Sequence, residues 1–229
     1  MFIPLILAIG LAIVLVRTNE QGRRLTPLFF KHWPWLLFIF AIKSAAFGGT
    51  ELAQLIPNTL AKIILISCQL GLIWIALANR QKAAFKLALI GASLNLLVIG
   101  LNGGFMPITP DAAQVVYPDA APGSWQVGQR LGTGKDIVLE KEDTLLWPLS
   151  DCMLTPEWLP RETVLKLGTG FQGLSQRIAF SIGDVFLVLA IVLEIAILTK
   201  EALPIKTRPN WKKKHGRNQN DPCGETGDG

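Results

Sequence analysis

Residues 59–78 read TLAKIILISCQLGLIWIALA, and Lys62, in the first turn, is their one charged residue. At about 1.5 Å of rise per residue such a helix is about 30 Å long, the thickness of a bilayer's hydrocarbon core. Outward from it, Phe2–Val16, Trp35–Thr50, Phe85–Leu101 and Ile178–Leu198 are four more runs of 15 to 21 almost wholly apolar residues. The expected fold class is therefore an all-α membrane protein, with five transmembrane helices and a structured extracytoplasmic segment between the fourth and fifth. Half of the chain is hydrophobic and 17% is charged, against roughly a quarter for an average soluble domain, which agrees. At 229 residues there is room for one bundle and one modest extramembrane segment, not for a separate catalytic domain.

Basic residues set the expected orientation, because Lys and Arg in short loops stay on the cytoplasmic side. Arg17, Arg23, Arg24 and Lys31 follow the first run, and Arg80, Lys82 and Lys86 follow the third. Residues 48–58, after the second run, carry none. The amino terminus is then outside and the carboxyl terminus in the cytosol. The divisions are 1–101 for helices one to four, 102–177 for the extracytoplasmic segment, 178–198 for the fifth helix, and 199–229 for a basic tail expected to be disordered. The first run has no preceding basic residue and no small-x-small site near Arg17, so it is expected to be an uncleaved first helix and not a signal peptide.

Several chemistries find no support. Cys68 falls in a span, Cys152 outside and Cys223 in the tail, so no intramolecular disulfide framework is expected. The two histidines, His32 and His215, have no ligand partners at metal spacing, so neither metal nor cofactor is expected. Gly168-Thr169-Gly170-Phe171-Gln172-Gly173 fits a dinucleotide fingerprint but precedes a membrane run instead of the helix of a βαβ unit. Gly132-Thr133-Gly134-Lys135 is followed by Asp136 where a phosphate loop needs Ser or Thr. Both read as turns.

The ionisable residues within the spans carry more information. Lys43 and Asp184 each lie about two turns from the extracytoplasmic end, where a charge costs at least a few kcal/mol unless it is paired or hydrated. Their similar depth allows them to face each other. Asn95 and Asn102, with Glu51 and Lys62, place further polar groups in the same leaflet, whereas Glu194 is expected to reach the opposite interface. In residues 102–177, nine acidic and six basic residues accompany many apolar ones, so the segment is too hydrophobic for a solvated chain. Thr109-Pro110-Asp111 and Thr155-Pro156-Glu157 each read as an N-cap followed by proline in the first turn, predicting two short helices. Lys135–Leu139 suits a short strand. Leu145–Leu149 is too short to span, and suits the headgroup region or a fold back over the helix ends, with Trp147 and Trp158 as interfacial anchors.

Asn102-Gly103-Gly104-Phe105-Met106-Pro107-Ile108, Thr144-Leu145-Leu146-Trp147-Pro148-Leu149-Ser150-Asp151 and Phe180-Ser181-Ile182-Gly183-Asp184-Val185 resemble, in order and spacing, the three signature blocks of a bacterial membrane-protein family known as domain of unknown function 5317. The resemblance covers about residues 1–199; Pro148-Leu149-Ser150 departs from its pattern. It implies a polytopic bacterial membrane protein and brings no reaction, ligand or catalytic residue. The candidate polar site is Lys43, Asn102, Asp151 and Asp184, either converging on an outward-facing site or fastening the loop to the bundle. In the tail, Lys212, Lys213, Lys214 and Arg217 beside Trp211 suit an anionic lipid surface, each basic residue contributing about 1 kcal/mol.

The expected function is that of a non-enzymatic accessory or ligand-sensing protein presenting the extracytoplasmic segment. A small transporter or channel subunit is one alternative. A membrane-embedded enzyme using carboxylates at the outer interface is the other. The expected partners are the lipid bilayer and a membrane protein or a second copy of the chain, with no nucleic acid, since the net charge of +5 comes largely from topology-setting residues.

Overall fold

The computed structural model describes residues 30–118, 120–121, 123–156 and 177–202. Within them the chain is mostly helical, with six α-helices: α1 (Trp33–Phe47), α2 (Glu51–Leu55), α3 (Asn58–Ala78), α4 (Ala83–Leu101), α5 (Pro110–Val116) and α6 (Ile182–Ala202). The expected first span, Phe2–Val16, and the tail with Lys212, Lys213, Lys214 and Arg217 lie outside the described residues. So do Trp158, Glu157 and the Gly168–Gly173 string.

Local chemistry sets most helix ends. Thr50 caps α2 by accepting from the Ala53 amide at 3.2 Å, and Glu51 in the first turn complements the helix dipole. Pro57 then leads into α3. At the far end of α3, the Asn79 amide donates to Ile75 O and Lys31 O while its Oδ1 accepts from the Lys31 amide, tying the approach to α1 to the α3–α4 turn. The predicted helix after Thr109 is α5, with Thr109 Oγ1 accepting from the Ala112 amide. The second predicted short helix, after Thr155, falls largely outside the described residues.

The long helices neighbour one another in the order α1, α3, α4, α6. Small residues face inward: Ala61 and Ala76 on α3, and Ala84, Gly91 and Ala92 on α4 are buried. Large apolar residues face outward, with Leu60, Ile63, Leu70, Trp74 and Leu77 forming one exposed stripe on α3 and Ile90, Leu97 and Leu101 another on α4. Helices α3 and α4, with mean hydropathies of 2.1 and 2.0, are long and apolar enough to cross a membrane. Helix α1 is shorter, at 15 residues.

At the end where α1 and α4 finish and α3 and α6 begin, residues 102–156 fold into a cap. Strand β1 (Met106–Ile108) pairs in parallel with β2 (Asp136–Val138), with α5 in the crossover, and Pro107 stands opposite Ile137. The strand expected over Lys135–Leu139 is β2. Ile108, Ala112, Ala113, Val116, Leu131 and Val138 form the cap's own core, backed by Tyr117 and Trp125. A second cluster, Ala61, Leu65, Val98, Ile99, Phe105 and Met106, runs from α3 and α4 into β1, so the cap and the helices share buried apolar surface.

The Leu145–Leu149 stretch becomes a 3-10 turn over Trp147–Leu149 that touches α4 and α6. Strand β3 (Met153–Leu154) pairs antiparallel with β4 (Ala179–Phe180), which leads directly into α6. The fifth run therefore becomes helical four residues later than its apolar boundary at Ile178 suggests, because Ala179 and Phe180 are used in the sheet.

Candidate functional site

Three polar junctions cluster at the cap end of the bundle, one between α4 and the start of α6, one between the end of α4 and the cap, and one within the cap. The first lies at the start of α6. Ser181 Oγ accepts from the Asp184 amide at 3.1 Å while Asp184 Oδ2 accepts from the Ser181 amide at 3.4 Å, a reciprocal capping box. The Asn95 amide on α4 donates to Asp184 Oδ1, and Ser181 Oγ–H donates to Asn95 Oδ1, both at 2.9 Å. Asp184 is thus held by neutral donors and by the N-terminal dipole of its own helix. The junction needs glycine: a Cβ on Gly183 would stand 2.0 Å from Asn95 Oδ1 and 2.7 Å from Gly91 O. A Cβ on Gly91 would meet Gly183 O at 2.5 Å. The α4–α6 crossing is therefore a backbone contact made possible by two missing side chains.

The second junction is Asn102, which ends α4. Its amide nitrogen donates to Val98 O at 2.8 Å and to Leu145 O at 2.9 Å, and its Oδ1 accepts from the Leu145 amide at 2.9 Å. One side chain thus satisfies both backbone groups of Leu145, as a neighbouring strand would. Gly103 and Gly104 follow with φ of 77° and 93°, and Gly104 N–H donates to Ile99 O at 2.8 Å, closing the helix end.

The third junction is charged. Lys135 Nζ binds Asp136 Oδ1 at 2.8 Å and also Asp151 Oδ2. Strand β1 lies between their backbones: Met106 N–H donates to Lys135 O and Asp151 N–H donates to Pro107 O. Asp151 is 1% exposed, whereas Lys135 and Asp136 are 28% and 18% exposed. Asp151 Oδ1 is buried with no hydrogen-bond partner. Burial opposes the Lys135 ammonium, but the carboxylates of Asp136, Asp151 and Asp184 outweigh it and hold its pKa above the usual lysine value. Burial pushes the Asp151 carboxyl well above the usual range; Lys135 opposes this, and Asp136 and Asp184 add to it.

Close by, the Arg130 guanidinium lies 5.5 Å from the Phe47 ring and 5.3 Å from the Phe105 ring, and donates to Gly134 O and Thr133 O. It thereby fixes the turn that delivers Lys135. Gly132 in that turn has φ 55°, which bears out the turn reading of the Gly132–Lys135 string.

Of the four candidate residues, Asp151 and Asp184 both lie in the field of Lys135. Asn102 serves a separate backbone clamp. Lys43, one turn before the end of α1, lies within electrostatic range of Asp184 and Lys135 but forms no ion pair among the described residues. Sequence reading passed over the centre of the cluster. From the sequence, Lys135 reads as a phosphate-loop lysine and as the first residue of a strand, although its neighbour Asp136 and the block residue Asp151 offer a charge signal. Ser181 and Gly183 were placed in the block without the contact to Asn95. Glu194 does not stand alone at the interface: it pairs with Lys82 at 2.6 Å, at the end of the bundle away from the cap. Among the described residues, no three His, Cys, Asp or Glu side chains are placed to share a metal ion. Lys135 itself occupies the place between Asp136 and Asp151 where a cation would stand.

Neither the curated proteins nor the solved structures provide a match to this chain. The sequence model of a family described as "Family of unknown function (DUF5317)" matches residues 28–169, more than half of the chain, including Asn102, Lys135, Asp136 and Asp151 but not Ser181 or Asp184. The chain belongs to that family.

Proposed function

We propose that this is a five-span membrane protein of bacterial type, with its amino terminus outside and its tail inside, whose role is to present the cap as a rigid accessory or ligand-sensing surface. The outward stripes of large apolar residues on α3 and α4 and the small residues between helices support burial in lipid, where small residues let backbones approach. Lys82, next to α4, and Glu194 would then lie near the cytoplasmic headgroups. The tail residues Lys212, Lys213, Lys214 and Arg217 would meet the same leaflet.

One observation carries the accessory reading. The polar residues at the cap end bond to one another: Asn102 ties α4 to Leu145 of the cap, Asn95 ties α4 to Ser181 and Asp184, and Lys135 ties Asp136 to Asp151 within the cap. An enzyme would keep a nucleophile and a base facing an open site. A transporter would line a path through both leaflets. Here the groups face one another, and the cap's own surface remains free, with Val127 half exposed.

A photo-crosslinker placed at Val127 in native membranes tests this reading. The expected result is one defined adduct, a protein partner or a second copy, that is absent when the crosslinker stands at the lipid-facing Leu97. No adduct from several cap positions would overturn it. Impermeant thiol reagents on intact cells test the topology separately: they should modify Cys152 and spare Cys223.

A further inference from the structure

The charged junction does not balance. Five ionisable side chains lie within electrostatic range of one another at the cap end: Lys43 from α1, Lys135 just before β2, Asp136 in β2, Asp151 after the 3-10 turn, and Asp184 from α6. Fully ionised, they carry two positive charges and three negative ones. Asp184 has its own donors in Asn95 and the Ser181 amide, with Lys43 within electrostatic range of it. That leaves one ammonium, Lys135, shared between two carboxylates.

The two carboxylates are not equivalent. Asp136 retains some contact with solvent, whereas Asp151 has almost none and leaves Oδ1 without a donor. An uncompensated buried charge costs several kcal/mol, more than a buried hydroxyl lacking one acceptor. The cheapest way to bring the cluster to neutrality is one proton, and the least solvated oxygen is where it belongs.

We propose that Asp151 is a proton-binding site: at neutral pH it is a neutral carboxylic acid, and that proton keeps the segment after the 3-10 turn seated against β1 within the cap. Its neutral form still accepts the Lys135 ammonium at Oδ2, so the fastening to the start of β2 survives protonation. Loss of the proton leaves two anions around one ammonium within the cap, and the 3-10 turn 147–149, which touches α4 and α6, loosens with it. The cap position so controlled is the surface invoked in the proposed function, but the proton itself can be detected whether or not any partner exists.

Infrared spectroscopy of the full-length protein in lipid vesicles reads it directly. The wild type should show the carbonyl stretch of a protonated carboxylic acid at neutral pH, shifted by deuterium exchange. The band should be lost in Asp151→Asn, and in Asp136→Asn and Asp184→Asn, which restore the balance with Asp151 ionised, it should disappear at a lower pH than in the wild type. As the pH is raised, the band should disappear, and the thermal midpoint of the wild type should fall from about pH 4 and level off where the band is lost, while Asp151→Asn shows no such fall. No band at neutral pH, or a band that survives in Asp151→Asn, would overturn the proposal. Asparagine keeps the shape and the acceptor of the neutral acid, so a folded variant is expected; misfolding of Asp151→Asn alone would also count against it.

Discussion

The junction at Ser181 and the junction at Lys135 do the same mechanical work by opposite chemistry. At Ser181 a carboxylate, Asp184, is stabilised by neutral donors and a helix dipole. At Lys135 a single cation holds two aspartates, Asp136 and the buried Asp151. The first arrangement depends on shape, since it works only while the backbones of α4 and α6 touch. The second depends on charge, and tolerates looser packing provided that the count of charges is right. The two should therefore fail differently when altered.

The largest effect is expected at the charged junction. Lys135→Met leaves Asp136 and Asp151 without their cation, and removing one partner of a buried pair costs about 3–5 kcal/mol. Denaturant unfolding in detergent should show this loss, with Asp136→Asn in the same chain recovering part of it. At the shape-dependent junction, Gly183→Ala forces a Cβ into Asn95 and Gly91, and overpacking of this kind costs about 1–3 kcal/mol or more. Substituting Asn95 in addition should relieve little, because Gly91 O still blocks the Cβ. If both glycine positions accept alanine without loss, the backbone contact between α4 and α6 is not what holds the junction.

Asn102→Ala should cost about 1–3 kcal/mol, since it leaves both backbone groups of Leu145 without their partner. Faster hydrogen exchange around Leu145, with no change in α6, is the local signature. For Asp151 the sign follows from its raised folded pKa. Its contribution to stability is fully present below the unfolded value of about 4 and is lost as the pH rises through the folded value. Stability of the wild type should thus decline as the pH rises from about 4 and level off above the folded value, and Asp151→Asn should remove that decline. Lys135, also raised, should contribute steadily across the neutral range, because its stability is lost only above the ordinary lysine pKa. The smallest effect is expected at the opposite end. Lys82 is 45% exposed, so Lys82→Ala should move the unfolding midpoint hardly at all despite the 2.6 Å pair with Glu194.

The two junctions also differ in how far they could be read from the chain. The stop of α4 at Asn102-Gly103-Gly104 and the start of α5 at Thr109-Pro110 were legible, because capping is local: the residues that make the bond are within four positions of each other. The same locality made Lys135–Leu139 readable as a strand. Its partner was not readable, since Met106–Ile108 pairs with it in parallel across about 30 residues, including α5. The start of α6 was misplaced for a related reason. Ala179 and Phe180 are apolar enough to extend the span, but Met153 and Leu154 recruit them into a sheet. For Lys43 and Asp184, depth along the chain carries no information about the Asn95 and Ser181 partners that hold Asp184.

Composition and hydropathy by themselves determined that the chain builds long apolar helices and a separate, partly apolar cap segment, because both follow from how each residue partitions between water and a nonpolar phase. Which carboxylate meets which donor was decided only in three dimensions. Lys135 and Asp151 are brought together by β1 running between them, and Asn95 meets Ser181 because two glycines let α4 and α6 touch. Hydrogen bonds and ion pairs act over about 3 Å, so their partners are set by the packing of elements distant in sequence.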